Sequence, residues 1–216
     1  MSMPGEDSKR YKHFLKEVTE HFEDKKSRDV VESVGERIKK IRETKGISLE
    51  ELSMRTGFPV ELLSQIEDQT ISPQIGTIIK LARSLKTVFG TLTAEEGEKN
   101  YAIVRHSERK VVSREASQRK GHNYTYISLA SDVKNRHMES FIVKLEPETP
   151  DQELSVHDGE EFIFVLDGEM KVRLGKDTEV LSTGDTIYYL SNIPHLVTSN
   201  RNEPTYILAV IYTGSD

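Results

Sequence analysis

The sequence predicts two domains of different class, a bundle of short α-helices followed by an all-β barrel or sandwich. Three observations carry that expectation. Apolar residues recur at helical spacing between Val34 and Leu85. Short β-rich runs separated by turn signals fill the chain from Tyr101 onward. The charge divides at the same place: residues 34–87 hold nine Lys and Arg against seven acids, and residues 88–216 hold fourteen against twenty-one. Two modules with charge of opposite sign in 216 residues imply different partners.

Composition sets outer limits. The net charge of −6 argues against a protein that coats nucleic acid indiscriminately. No apolar run approaches the ~20 residues that span a bilayer, so no membrane partner is expected. The first thirty residues mix charges without an apolar stretch, unlike a secretory signal. The chain has no cysteine, which removes disulfides and thiolate chemistry. A cytoplasmic location is the default expectation.

Residues 1–33 read as a tail and one amphipathic helix, from Ser8 to about Lys26, with Tyr11, Phe14, Leu15, Val18 and Phe22 on one face. A helical module follows over residues 34–90. Val34, Ile38 and Ile41 mark its first helix, with Gly46 free to take the left-handed position after it. "SLEE" opens the second with Ser48 as N-cap and Glu51 three residues on, a capping box, and Gly57 stops it. "PVELLSQIE" forms the third, with Pro59 near its first turn and Leu62, Leu63 and Ile66 inward. Ser72 and Pro73 open the fourth, whose apolar face is Ile75, Ile78, Ile79, Ala82 and Leu85. Residues 91–100 turn polar and lose periodicity, as a linker does. The β domain covers 101–216, in the runs "YAIV", "YTYISL", "ESFIVKL", "EFIFVL", "MKVRL", "TEVL", "TIYYL", "HLVTS" and "YILAVIY".

Short helices around a tight glycine turn fit a helix-turn-helix, in which the second helix of the pair enters the major groove. "RIKKIRETKGISLEELSMRTGFPVELLSQIEDQTISPQIGTIIKLARSL" resembles the phage-repressor (Cro/CI, or XRE) family over its whole length. The resemblance implies a five-helix lambda-repressor-like domain with a structural ion pair between Arg42 and Glu67. It also implies a recognition helix from Pro59 to Glu67, with Val60, Glu61, Ser64 and Gln65 toward solvent. Gln65 can pair with adenine in bidentate fashion, and Glu61 can accept from cytosine. Leu49, Val60 and Glu61 stand where phage repressors commonly place glutamine, so direct readout is expected to be sparse. Phosphate contacts from Lys45, Thr70, Ser72 and the helix N-termini, including that at Ser48, would then supply much of the affinity. So weakly basic a module is expected to act as a dimer, on half-sites about 34 Å apart.

In the β domain, "HDGEEFIFVLDGE" and "GDTIYYLSNIPH" resemble the two motifs of the cupin fold, a jelly-roll or double-stranded β-helix barrel, with the motif core at 137–213. His157, Glu161, Gly168, Gly184 and His195 keep their places in the motifs. Ser155 replaces the first histidine, and Leu190 and Asn192 stand where Pro and Gly are usual. Two imidazoles and a carboxylate suit Fe(II) and leave positions open for other ligands, and zinc with a water also fits. Fe, Zn, Ni or Mn at His157, Glu161 and His195 is one reading, and a polar pocket for an organic ligand is the other. Tyr124, Tyr126, Gln152, Ser155 and Tyr188 are candidate pocket residues, although alternation turns only one of Tyr188 and Tyr189 inward.

Helix-turn-helix followed by cupin resembles the XRE–cupin transcriptional regulators. That family implies a non-enzymatic homodimer held through its barrels, a double-stranded DNA operator, and a small-molecule effector or metal that alters operator binding. The alternative is a mononuclear non-haem iron oxygenase of the hydroxypropylphosphonate epoxidase type, which has the same module order and the same His-x-x-x-Glu…His pattern.

Overall fold

The computed structural model describes residues 13, 16–17, 33–71, 73–87, 89–93, 99–109, 111–113, 124–130, 133–134, 136–149, 152 and 154–212. The apolar face expected at Tyr11, Phe14, Leu15, Val18 and Phe22, and Ser72, lie outside the described residues.

Among the described residues the head has five helices. The first, α1 (Val34–Thr44), opens on a capping box that the sequence reading missed: Ser33 accepts from the Glu36 amide while the Glu36 carboxylate accepts from the Ser33 amide. Ser48 caps α2 (Leu49–Thr56), but Glu51 does not complete a box there, because its carboxylate turns to Arg55 at 2.5 Å. Gly57, at φ 71°, ends α2 in the left-handed region. The third helix, α3, spans Val60–Glu67 behind Pro59. The fourth, α4 (Ile75–Ser84), starts from Gln74 as N-cap, beyond the Ser72–Pro73 opening read from the sequence.

A fifth helix, α5 (Phe89–Thr93), crosses the expected boundary at residue 90 and takes residues 91–93 out of the linker. Five residues are too few to show a helical period, but Phe89 and Leu92 are buried. Inside the head, Arg42 bridges α1 to α3 through two hydrogen bonds to Glu67, at 2.6 and 2.8 Å, and a third to the Ile47 carbonyl at 2.9 Å. The charge on an apolar helix face is thereby matched within the head.

Among the described residues the barrel has nine strands: β1 (Val111–Ser113), β2 (Tyr124–Ser128), β3 (Met138–Leu145), β4 (Glu160–Asp167), β5 (Glu169–Leu174), β6 (Asp177–Ser182), β7 (Thr186–Leu190), β8 (His195–Ser199) and β9 (Thr205–Tyr212). They form a six-stranded sheet in the order β1-β2-β3-β9-β4-β7 and a three-stranded sheet β6-β5-β8, with antiparallel neighbours throughout. This is the jelly-roll arrangement, with inward residues alternating along each strand. "YAIV" is not a strand: it joins no ladder, and Tyr101 and Ile103 are exposed. The core is continuous from head to barrel, running from Leu63, Ile78 and Leu85 through Phe89 and Phe141 to Ile163 and Ile207.

Candidate functional site

Pairing of strands brings the motif residues together. Glu161 on β4 stands opposite Tyr189 on β7, so both side chains enter the barrel. Ser155 and His195 exchange main-chain hydrogen bonds at 2.7 and 2.9 Å, and the His157 amide donates to the Ser191 carbonyl at 3.0 Å. These bonds seat the segment before β4 against the start of β8. His157, Glu161 and His195 are all buried, with one ligand atom from each inside a span of 4.8 Å.

The ring nitrogens define what the centre asks for. Nδ1 of His157 lies 3.1 Å from the Asp158 carbonyl, and Nδ1 of His195 lies 2.8 Å from the Ile193 carbonyl. A carbonyl only accepts, so each Nδ1 carries a proton and each Nε2 faces inward, offering a lone pair whenever the ring is neutral. Those Nε2 atoms lie 2.9 and 3.3 Å from Glu161 Oε1. Although close, His157 Nε2 is not aligned for a hydrogen bond and has no partner. Three acceptors aimed at one buried point need a cation, either a proton or a metal. The donor set fits a divalent metal on those grounds.

The rest of the carboxylate is held in place. Glu161 Oε2 accepts from the Tyr189 hydroxyl at 2.7 Å, and Oε1 accepts from Ser191 at 3.3 Å. Burial opposes its charge, but the adjoining His157 and His195 rings, when protonated, outweigh that and hold Glu161 well below the usual carboxylate range. His195 is raised: burial pulls it down, and the hydrogen bond and charge of Glu161 outweigh the burial. Burial, with the nearby Glu161 charge, pushes the hydroxyls of Tyr126 and Tyr189 well up, so both stay neutral donors.

Beside Glu161 and His195 lies a cavity of about 40 Å³, bounded by Tyr124, Tyr126, Ser155 and apolar side chains of β3, β4, β8 and β9. Two expected pocket residues are corrected. Tyr188 is 60 % exposed on the outer face, where its hydroxyl meets Glu160, and the adjacent Tyr189 takes the inward place. Gln152 turns away and accepts from the Thr149 amide in its own loop at 3.2 Å. Ser191 was missed, and its contact with Glu161 follows from the β7–β8 turn rather than from a pattern.

On the head, Glu61 and Gln65 of α3 are exposed, and Val60 and Ser64 are half-buried. The Ser64 hydroxyl donates to Asp68 at 3.2 Å, and Thr70 donates to the Gln65 carbonyl at 3.0 Å. Lys45 is exposed and reaches the Lys86 carbonyl at 3.4 Å, while Ser48 is engaged as the α2 cap. Among the described residues no helix is long and apolar enough to cross a membrane.

The helix-turn-helix family model matches residues 38–88, and the cupin domain model matches residues 141–211. A helix-turn-helix family transcriptional regulator from Vibrio cholerae is similar in structure, with TM-score 0.58 and 24 % identity over 85 % of this chain and 97 % of that one. Hydroxypropylphosphonic acid epoxidase from S. wedmorenis, solved with fosfomycin, is similar at TM-score 0.42 and 22 % identity over 83 % of this chain and 97 % of that one. An Fe(II) form of HppE with an alternative substrate gives 0.44 and 21 %, over 83 % and 96 %. No curated protein matches the chain.

Proposed function

We propose, for a chain that belongs to the helix-turn-helix DNA-binding regulators with a C-terminal cupin domain, that it reads an operator sequence and that the barrel's occupant alters that reading. The observation that carries this is the division of labour between the modules. The α3 face bearing Glu61 and Gln65 is open to solvent, and the buried triad lies in the other module, joined to the head by one core. His157, Glu161 and His195 would hold Fe, Zn, Ni or Mn, and the bound metal would supply a positive centre with positions open to an effector's oxygen. Val60, Ser64, Gln65 and Glu61 would face the bases, with Lys45, Thr70, Ser72 and the α2 N-terminus at Ser48 against phosphates.

A homodimer completes this reading. The outer face of the six-stranded sheet exposes Met138, Phe162, Tyr188, Leu190 and Tyr212. Phe162 pairs with Tyr188, and Met138 with Tyr212, so the apolar side chains form one patch across four strands. A second copy seated there would carry two heads to two half-sites. The location that suits such a protein is the cytoplasm.

The test is a gel shift on DNA upstream of the protein's own gene, with and without chelator. A shift that resists random competitor and changes on chelation is expected. Binding no stronger than to random DNA would remove the regulator reading. The triad also supports the oxygenase alternative, which predicts stoichiometric iron and substrate-dependent oxygen uptake lost in His157→Ala. Against it, a phosphonate substrate needs cationic partners, and no Lys or Arg is among the described residues lining the cavity.

A further inference from the structure

The roof of the barrel cavity belongs to the head. Gln74, Ile75 and Gly76, at the start of α4, line the same cavity as Glu161 and His195. The approach is so close that a Cβ on Gly76 would lie 1.7 Å from Ser155 Oγ and 2.7 Å from His157 Cδ2. Three further contacts hold the roof down. The Tyr126 hydroxyl donates to the Pro73 carbonyl at 3.3 Å, Arg83 pairs with Asp158, and the Phe89 and Phe141 rings meet edge-on at 5.9 Å.

What remains beneath is about 40 Å³, room for roughly three water-sized occupants. We propose that the cavity is a ligand site of the barrel roofed by Pro73–Gly76 of the head, and that any occupant larger than a metal ion with a few waters excludes the docked head. The walls name the ligand class. Val143, Leu145, Ile163, Leu196, Val197 and Ile207 are apolar, and the described lining has no Lys or Arg to hold a phosphate or polyanion. The Tyr124 hydroxyl already donates to the Val197 carbonyl, and only the Tyr126 hydroxyl, freed from the Pro73 carbonyl as the roof lifts, is left to donate beside the triad. The ligand is therefore a small, mostly apolar molecule that presents one oxygen to the triad. Because the α3 face is uncovered in the docked state, lifting the roof does not unmask the reading helix. It frees the head from a fixed position, and in a dimer it releases the spacing of the two heads. Only this consequence at DNA rests on the regulator reading.

A reversible lock tests the proposal in the full-length, metal-free chain. The Cβ position of residue 76 lies 3.1 Å from Ser155 Cβ, so a small separation of the two segments brings the pair into the ~3.5–4.5 Å of a disulfide. The natural chain has no cysteine, so Gly76→Cys/Ser155→Cys can form a single bond within the molecule. Mild oxidation is expected to link the modules. The linked form should modify at His157 and His195 with diethylpyrocarbonate about tenfold more slowly than its reduced form, read by peptide mass spectrometry against exposed His137. Gly76→Leu, which props the roof open, should speed both histidines by about tenfold with an unchanged circular dichroism spectrum. Equal rates in the oxidised and reduced forms, or rates unchanged from wild type in Gly76→Leu, overturn the proposal. Both forms are also run on the upstream DNA. Rates that obey the lock with no DNA shift in either form refute the regulator and keep the roof, and a DNA shift with lock-independent rates does the reverse.

Discussion

Replacing Glu161 by glutamine should separate what the triad does for the fold from what it does for a metal. At alkaline pH both imidazoles are neutral, their Nε2 lone pairs face Glu161 Oε1 at 2.9 and 3.3 Å, and no proton lies between them. A carboxamide of the same shape puts two N–H donors there, while its oxygen still accepts from Tyr189. An unsatisfied buried acceptor costs about 1–3 kcal/mol, so the metal-free Glu161→Gln protein should gain roughly that much at alkaline pH. The sign of the pH dependence follows from the two shifts. His195 is raised above 6.5, so its contribution is full below 6.5 and is lost as pH rises through the raised value. Glu161 is lowered below 4.5, so its contribution is present above 4.5 and is lost as pH falls through the lowered value. The wild-type metal-free barrel is therefore most stable between those limits and weakens above them, whereas the variant stays flat there. Loss of even an outer partner costs about 10–100-fold in metal affinity, so loss of the anionic ligand should exceed ~100-fold. Urea unfolding with EDTA at about pH 5.5 and about pH 9, with zinc competition alongside, reads both effects. A variant less stable than wild type at the higher pH, or one that keeps its zinc affinity, would refute the reasoning.

Three other outcomes are expected. Gln65→Ala should cost about 1–3 kcal/mol on the operator and relax preference at one position, while Lys45→Ala should weaken all sequences alike and lower the salt slope by about one, measured by fluorescence anisotropy across salt. Phe162→Asp, in the middle of the exposed apolar patch, should shift sedimentation from dimer to monomer without changing the barrel's melting. Arg42→Met should cost about 3–5 kcal/mol because it strands Glu67, whereas Arg42→Met/Glu67→Leu should recover most of that, read in the head transition of a denaturant titration.

The sequence made the head legible because its signals are local. Ser48 and Gly57 punctuate α2, and apolar spacing marks three of the five helices. Arg42 with Glu67 was available only through family resemblance, since 25 residues separate them and neither period nor charge links the two. In the barrel, the triad was visible as motif residues, but their convergence needs β4 beside β7 and Ser155 against His195, which are long-range pairings. The Tyr188 error has the same origin. Alternation offers two phases for "YY", and only the pairing of Tyr189 with Glu161 selects one of them.

Gly76 shows how a functional position can look like a defect. In the sequence it is a glycine one residue into a helix, a choice that costs about 1 kcal/mol against alanine. Helix periodicity assigns it no role, and the head's own packing does not require it: the three nearest neighbours of a Cβ there are all atoms of Ser155 and His157, in the other module. The glycine is therefore an interface residue between modules more than a helix residue. It lets the α4 turn approach the very segment that carries His157. A side chain there that is not bonded to the facing segment would hold the head off the barrel, so stability lost within one helix is offset by closure of a cavity that neither module could close alone.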